Sequence, residues 1–225
     1  MQKILKTLIG GAILASTLSA DIARVEIGAG AWSHTPSGEV GMVDVVGQSE
    51  QTEAYAWALV KHPVPVVPNI RVEYANTSVG NVAGAMSLTQ YDVIPYYNLI
   101  DNTFWMTLDV GLDLKVFNAS MEDSMIGMVS AQTDSAVFPL AYVRTRFQLP
   151  LSGLAAEADV KYIEYSDNLI YDARVKLDYT FTSFPVIEPG IELGYRVQKI
   201  DTAELFDINM VSDFEGVYAG VMVRF

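Results

Sequence analysis

The sequence contains no cysteine, and after its first twenty residues it contains no long apolar run. Without thiols the chain has no disulfide framework, no thiolate metal site and no cysteine nucleophile. Without an apolar run of about 18 residues it is not a helical membrane protein. Basic residues are also scarce, since 14 Lys and Arg stand against 27 Asp and Glu and give a formal net charge of −13. We expect no nucleic-acid partner, because binding a phosphate backbone requires a basic surface.

Apolar residues are abundant despite this charge. They make up 51% of the 225 residues, aromatic residues make up 11%, and the mean hydropathy is +0.24. The length predicts a single domain, and nothing in the spacing indicates a linker. The fold must therefore accommodate many apolar side chains without a long apolar segment.

The first twenty residues predict a cleavable Sec export signal. Lys3 and Lys6 give the segment a basic start, an apolar stretch follows, and small residues precede Ala20. We predict cleavage after Ala20, which divides the chain into a signal peptide (1–20) and one domain (21–225). Cleavage removes two of the 14 basic residues and no acidic residue, so the mature chain would carry a net charge of −15.

Most of the remaining sequence alternates apolar and polar residues with a period of two. Between Thr103 and Phe117 every second residue is apolar, and the intervening residues include Asp109, Asp113 and Lys115. This pattern predicts a β-strand with one apolar and one polar face. The ten predicted strands are Ile22–Trp32, Glu53–His62, Asn69–Ser78, Met86–Tyr96, Thr103–Phe117, Ala136–Leu149, Leu154–Tyr165, Leu169–Phe181, Glu188–Ile200 and Asp213–Phe225. The second and fourth have the weakest pattern, which leaves eight strands as an alternative.

The lengths of the strands and of their connections favour a transmembrane β-barrel. Several strands exceed a dozen residues, whereas strands of soluble proteins centre on about 5–6 and a bilayer-crossing strand needs about 9–11. Short connections at 63–68, 97–102, 150–152 and 182–186 alternate with longer ones that include 33–52, 118–135 and 201–212. We therefore predict an all-β fold, an antiparallel up-and-down barrel with both termini on the periplasmic side. The alternative is a secreted β-sandwich, whose strands alternate in the same way.

A barrel with its polar faces inward would concentrate charge in the lumen. Ten basic and eleven acidic residues would face one another, and charges in so narrow a space are stable only when paired or hydrated. We predict salt-bridge networks that fill much of the lumen. Such a network could also select solutes, with Arg144 and Arg146 as contacts for an anion. The predicted lumen charge network comprises Asp109, Asp113, Lys115, Arg144, Arg146, Glu157, Asp159, Lys161, Asp172, Arg174, Lys176, Asp178, Glu192 and Arg196.

Aromatic residues are expected to mark the membrane interface near the short turns, as in the girdles of membrane barrels. The candidates for this girdle are Tyr96, Tyr97, Phe104, Phe147, Phe181 and Phe184. The facing of the second strand stays open, because either its large residues (Tyr55, Trp57 and Leu59) or its small ones (Ala54, Ala56, Ala58 and Val60) could face lipid. The acidic excess lies mostly in the longer loops, on the outer side.

The last ten residues alternate apolar side chains and end on phenylalanine. In this they resemble the terminal strand of bacterial outer-membrane β-barrel proteins. The resemblance implies a signal that the barrel-assembly machinery reads, and it assigns that role to Val217, Ala219, Val221, Val223 and Phe225. The rest of the chain resembles small single-chain barrels of this class, which implies an architecture and no catalytic residues.

Candidate catalytic chemistry is confined to one histidine. Ten strands is the size of the omptin surface proteases, but a resemblance to them would require paired Asp–Asp and Asp–His groups at the outer rim. His62 lies at the predicted periplasmic end, so only His34 is available on the outer side. It is predicted in a loop with Ser33, Ser37, Glu39 and Asp44 as possible partners.

The predicted function is that of a non-catalytic integral outer-membrane protein of a Gram-negative bacterium. Such a barrel could be structural, or form a narrow solute pathway or a receptor surface, and a surface hydrolase using His34 is the alternative. Expected partners are outer-membrane lipid and lipopolysaccharide, with the barrel-assembly machinery during biogenesis, and we expect a monomer. Neither a cofactor nor a metal is predicted, since acidic pairs such as Glu122-Asp123 have no dedicated Ca²⁺-site spacing.

Overall fold

The computed structural model describes residues 23–40, 43–44, 49–64, 66–81, 84–122, 134–166, 168–181, 186–205 and 208–225. The predicted signal peptide lies outside these residues. No helix in the described part of the chain is long and apolar enough to cross a membrane. Its strands are β1 (Arg24–Val40), β2 (Val43–Asp44), β3 (Gln51–Lys61), β4 (Asn69–Asn81), β5 (Gly84–Thr103), β6 (Met106–Glu122), β7 (Asp134–Gln148), β8 (Leu154–Tyr165), β9 (Asn168–Thr180), β10 (Glu188–Leu205) and β11 (Ile208–Arg224).

The strands form one closed antiparallel barrel. From β3 to β11 each strand pairs with its neighbours in the sequence, and β1 lies between β3 and β11. Gly28 of β1, for example, is in register with Trp57 on one side and Met222 on the other. The two-residue β2 pairs with the outer end of β1. The prediction of a ten-strand up-and-down barrel is confirmed, and both the eight-strand and the sandwich alternatives are wrong.

Several hairpins extend further on the outer side than predicted. β1 continues to Val40, β6 to Glu122 and β10 to Leu205. Much of the sequence predicted as loops at 33–52 and 201–212 is therefore strand. The ladder of backbone hydrogen bonds continues in these segments, but their sequence lacks the apolar–polar alternation that would predict a strand.

One periplasmic turn lies at a different place from its prediction. β5 runs to Thr103, which pairs with Met106 across a two-residue turn. The turn residues Phe104 and Trp105 have φ angles of +52° and +65°, the backbone of a type I′ hairpin that usually contains Asn and Gly. Because two bulky aromatic residues occupy the turn, the sequence carries no turn signal there. The predicted connection at 97–102 and the predicted strand start at Thr103 are both wrong.

The outer wall of the barrel is apolar. Its exposed side chains include Val72, Val93, Leu112, Val143, Val160, Val175, Leu177, Ile191, Leu193, Val217 and Val221. Exposed aromatic residues border this surface on both sides. Towards the outer end they are Tyr91, Tyr162 and Tyr195, and towards the periplasmic end they are Tyr97, Phe104, Phe147, Tyr179 and Phe181. An apolar band between two aromatic girdles is typical of a barrel in a bilayer.

The structure changes one member of the predicted girdle and decides which face of β3 points to lipid. Tyr96 faces the lumen and is 2% exposed, because the adjacent Tyr97 takes the lipid-facing position. Phe184 lies outside the described residues. On β3 the large residues Tyr55, Trp57 and Leu59 face inward and are buried, so the small residues of that strand face lipid.

Candidate functional site: the barrel lumen

Inward side chains of the lower and middle lumen form a continuous network of ion pairs, which we call the charged layer. Every residue of the predicted lumen charge network belongs to it, and Arg71, Glu73 and Asp92 join them. All of these side chains are 10% exposed or less. The charged layer comprises Arg71, Glu73, Asp92, Asp109, Asp113, Lys115, Arg144, Arg146, Glu157, Asp159, Lys161, Asp172, Arg174, Lys176, Asp178, Glu192 and Arg196.

Arginines on β7 organise the periplasmic half of the charged layer. Arg146 donates from two nitrogens to the two carboxylate oxygens of Asp178, at 2.6 and 2.8 Å. Arg144 donates to Asp109 at 2.6 Å and to Glu157 at 2.7 Å. The planar guanidinium fork matches a carboxylate, which makes such charge-assisted pairs both strong and directional. The arginines therefore fix β6, β8 and β9 around β7.

Other ion pairs cross the lumen. The Lys161 ammonium on β8 donates to Glu73 on β4 at 2.6 Å, and it also contacts Asp92 on β5. Arg174 on β9 donates to the same Glu73 at 2.7 Å. Neither β8 nor β9 is a neighbour of β4 or β5 in the barrel wall. The side chains therefore meet in the interior rather than along the wall.

Asp172 is a junction of the network. Its carboxylate accepts hydrogen bonds from Arg196 at 2.9 and 2.6 Å and from Lys115 at 3.3 Å. Lys161 lies 3.9 Å away, and Asp172 itself is fully buried. One carboxylate therefore balances several buried cations.

Aromatic side chains of β3 complete the charged layer, and the sequence analysis did not assign them to it. Tyr55 Oη and Trp57 Nε1 donate to Glu192 at 2.7 and 2.9 Å. The glycine at position 28 makes room for Trp57, since a Cβ there would overlap the indole ring. The sequence does indicate that Tyr55 and Trp57 face the lumen, because the charged Lys61 lies on the same face of β3.

The lumen is tightly filled around these aromatic residues. The space beside Trp57 amounts to about 20 Å³, which is enough for about one water molecule. At the outer limit of the charged layer, Gln90 on β5 and Gln198 on β10 exchange two side-chain hydrogen bonds of 2.9 and 2.6 Å. Two glutamines from opposite walls thus touch each other.

Beyond the glutamine pair the lumen changes character. On several strands, the first inward residue on the outer side of the charged layer is apolar. On β6 it is Phe117, two residues after Lys115, and on β9 it is Ile170, two residues before Asp172. These residues are each 0–1% exposed, and we call them the apolar layer. The apolar layer comprises Leu88, Phe117, Leu140, Ile170, Ile200 and Phe214. The alternation in the sequence does not predict this layer.

His34 lies in β1 beside the apolar layer, and the prediction that places it in an outer loop is wrong. The imidazole ring is 4.5 Å from Trp32 and 5.5 Å from Phe214, between ring centroids. Its Nε2 atom is 3.9 Å from the Glu53 carboxylate. Ser33, the adjacent residue, points the opposite way and contacts Glu50. The structure therefore does not bring the predicted serine and histidine together.

The residues of the predicted assembly signal lie on β11, and that role stays a prediction. Val217, Ala219 and Val221 are exposed on the outer wall, while Val223 and Phe225 are half-buried. The Phe225 amide donates to the Val25 carbonyl at 2.9 Å. The last residue of the chain thereby pairs with the beginning of the first strand.

The described residues contain no group of three or more His, Cys, Asp or Glu side chains arranged to hold a metal ion. No protein-family model and no curated protein sequence matches this chain.

Several solved outer-membrane structures are similar in fold. The outer membrane protease OmpT from Escherichia coli is 9% identical, with a TM-score of 0.48 over 92% of this chain and 97% of that chain. The outer membrane protein OprG from Pseudomonas aeruginosa is 11% identical, with a TM-score of 0.35 over 91% and 97% of the two chains. The toluene transporter TodX from P. putida is 9% identical, with a TM-score of 0.35 over 93% and 92%. At these values the comparison concerns the barrel fold alone.

The molecule's own geometry is that of an outer-membrane β-barrel protein. It combines a closed antiparallel barrel, an apolar outer wall bordered by aromatic side chains, and a charged interior. An apolar surface around a charged interior is the reverse of the arrangement in a soluble protein.

Proposed function

We propose that this chain is a non-catalytic integral protein of the outer membrane of a Gram-negative bacterium, exported through a Sec signal peptide. In this proposal the barrel is a closed anchor that presents an acidic outer surface, and it is not an open pore. Its partners are then outer-membrane lipid and lipopolysaccharide, with the barrel-assembly machinery during biogenesis, and the protein acts as a monomer.

The observation that carries the proposal is the contact between opposite walls. Gln90 and Gln198 bond to each other across the lumen, and Lys161 bonds to Glu73 below them. Such contacts occupy the path that a solute would follow. The apolar layer adds a second barrier, because a polar or charged solute would lose its hydration there without gaining partners.

The outer hairpins support a role for the external surface. Their exposed or partly exposed carboxylates include Glu50, Glu164, Asp213 and Glu215, whereas the basic residues are largely engaged in the lumen. His34 offers no comparable support for hydrolysis, because its ring is 1% exposed between two aromatic side chains.

Planar-bilayer recording of the refolded mature chain tests the proposal. We expect no unitary conductance steps from the wild type, with insertion verified by heat-modifiable migration on unboiled gels. A variant that truncates both crossing contacts and one apolar-layer side chain, Gln90→Ser, Gln198→Ser, Glu73→Ser, Lys161→Ser and Phe214→Ala, should conduct measurably. A matched variant truncated on the lipid face, Val175→Ala and Leu177→Ala, should stay silent. Reproducible conductance from the wild type would overturn the proposal.

A further inference from the structure

The periplasmic mouth of the lumen is a polar cavity of about 330 Å³, which we call the mouth cavity. This volume lies at the lower end of the range typical of small-molecule sites, about 300–1,000 Å³. Its lining contains three cations, one carboxylate and three neutral polar side chains. These residues are Arg24, Lys61, Asp101, Asn102, Thr107, Arg146 and Gln148.

The strand register places two of these cations side by side. Arg24 opens β1 and Lys61 closes β3, and the two residues are direct partners across the ladder. Like charges at directly opposed positions destabilise an antiparallel pair. Their side chains are 39% and 19% exposed, so both can reach a ligand. On another part of the rim, Arg146 is the register partner of Thr107.

Among the residues that the structure describes, carboxylates neutralise this pair only in part. Lys61 contacts Asp101 at 2.5 Å, but the Asp101 side chain is 49% exposed on the β5 end of the rim. Arg24 lies 3.4 Å from Glu26, and Glu26 also pairs with Arg224 at 3.2 Å. The mouth cavity therefore combines two partly paired cations with hydrogen-bond donors from Asn102, Thr107 and Gln148.

We propose that the mouth cavity binds a small oxyanion from the periplasm, a solute that carries carboxylate or phosphate groups. Arg24 and Lys61 are its principal contacts, since guanidinium and ammonium groups bind both kinds of oxyanion. Asn102 and Gln148 donate hydrogen bonds from their amides. Asp101 competes with the ligand, because it occupies Lys61 when the site is empty. The site does not depend on a closed lumen, since it faces the periplasm.

Isothermal titration of the full mature chain in detergent micelles tests the site, with citrate and inorganic phosphate as separate probes. We expect saturable binding of at least one probe with one site per chain, weakening as ionic strength rises. Stronger binding of citrate assigns the site to carboxylates, and stronger binding of phosphate assigns it to phosphate esters. Absence of saturable binding for both probes would overturn the proposal.

Three variants test whether the probe binds in the mouth cavity. The double variant Arg24→Gln, Lys61→Gln should weaken binding at least about tenfold, as expected for lost charged hydrogen bonds. Asp101→Asn should strengthen binding severalfold, a gain that misfolding cannot produce. Lys199→Gln removes a cation at the outer end and should leave affinity unchanged. A loss of affinity in Asp101→Asn, or an equal loss in Lys199→Gln, would contradict the assignment.

Discussion

The charged layer and the apolar layer occupy consecutive levels of one lumen, and both are almost completely buried, yet they depend on opposite properties of their side chains. In the charged layer a residue such as Asp172 is stable only because particular cations from other strands reach it. In the apolar layer a residue such as Leu140 needs only neighbours of suitable volume. The first layer is sensitive to the loss of any one partner, and the second is sensitive to the size of the gap that a substitution leaves.

The difference also concerns how each layer specifies the strand arrangement. Side chains alternate with a period of two, so a slip of one residue would turn a charged inward set towards lipid. A charge on the lipid face of a barrel is costly, and a buried charge without its partner is costly as well. The charged layer therefore penalises wrong registers far more strongly than the apolar layer does.

The largest effect should come from breaking the Asp172 junction. Asp172→Asn leaves Arg196 and Lys115 buried without their shared carboxylate, and we expect a loss of about 3–5 kcal/mol in the free energy of unfolding. Urea titration of the barrel refolded into lipid vesicles measures it. The control is Asp213→Asn, whose exposed carboxylate is 3.9 Å from Lys199 and should contribute less than about 1 kcal/mol. Equal losses in the two variants would mean that the charged layer is hydrated and weakly coupled.

A smaller effect is expected when a cavity is made in the apolar layer. Leu140→Ala removes a fully buried side chain and should cost about 3 kcal/mol, the sum of lost transfer free energy and cavity formation. Leu112→Ala on the lipid face is the matched control, because lipid chains can refill the space. The same unfolding titration decides the outcome, and a Leu112→Ala loss as large as that of Leu140→Ala would show that the apolar layer is not close-packed.

The smallest effect lies at the boundary between the layers. Gln90→Leu or Gln198→Leu alone leaves a buried amide without its partner and should cost about 1–2 kcal/mol. The double variant converts the boundary into more apolar layer and should recover most of that loss. A double-mutant cycle measures the coupling, which should be about 1 kcal/mol. If the double variant instead lost the sum of the two single-variant free energies of unfolding, the two amides would not depend on each other.

The sequence was sufficient to predict the barrel and the charged residues of its lumen. Alternation assigned Asp109, Lys115, Arg174 and Asp178 to one face, and closure of the sheet makes that face the interior. This works because the period of two is a local property that survives in every strand that crosses the bilayer. The charged residues could be predicted for the same reason, since only one face of each strand carries them.

The remaining features depend on relations that are not local in the sequence. Predicting the apolar layer requires knowing which residues of different strands lie at the same level of the barrel. Alternation along a single strand does not give this. His34 was predicted in a loop because the outer part of β1 has polar residues on both faces. The turn at Phe104 and Trp105 lacks the residues that its backbone usually requires. Lys61 was missed because the facing of β3 was left open.

The pairing of Phe225 with Val25 sets an order for biogenesis. β11, the partner of β1, is the last strand of the barrel in the sequence, so one edge of β1 stays unpaired until every other strand has been synthesised. Contacts of such long sequence separation form late. A chain that lost its final strand would expose two unsatisfied backbone edges to the bilayer, which cannot hydrogen-bond them. Closure of the barrel therefore requires every strand of its wall, from β1 to β11, to be present.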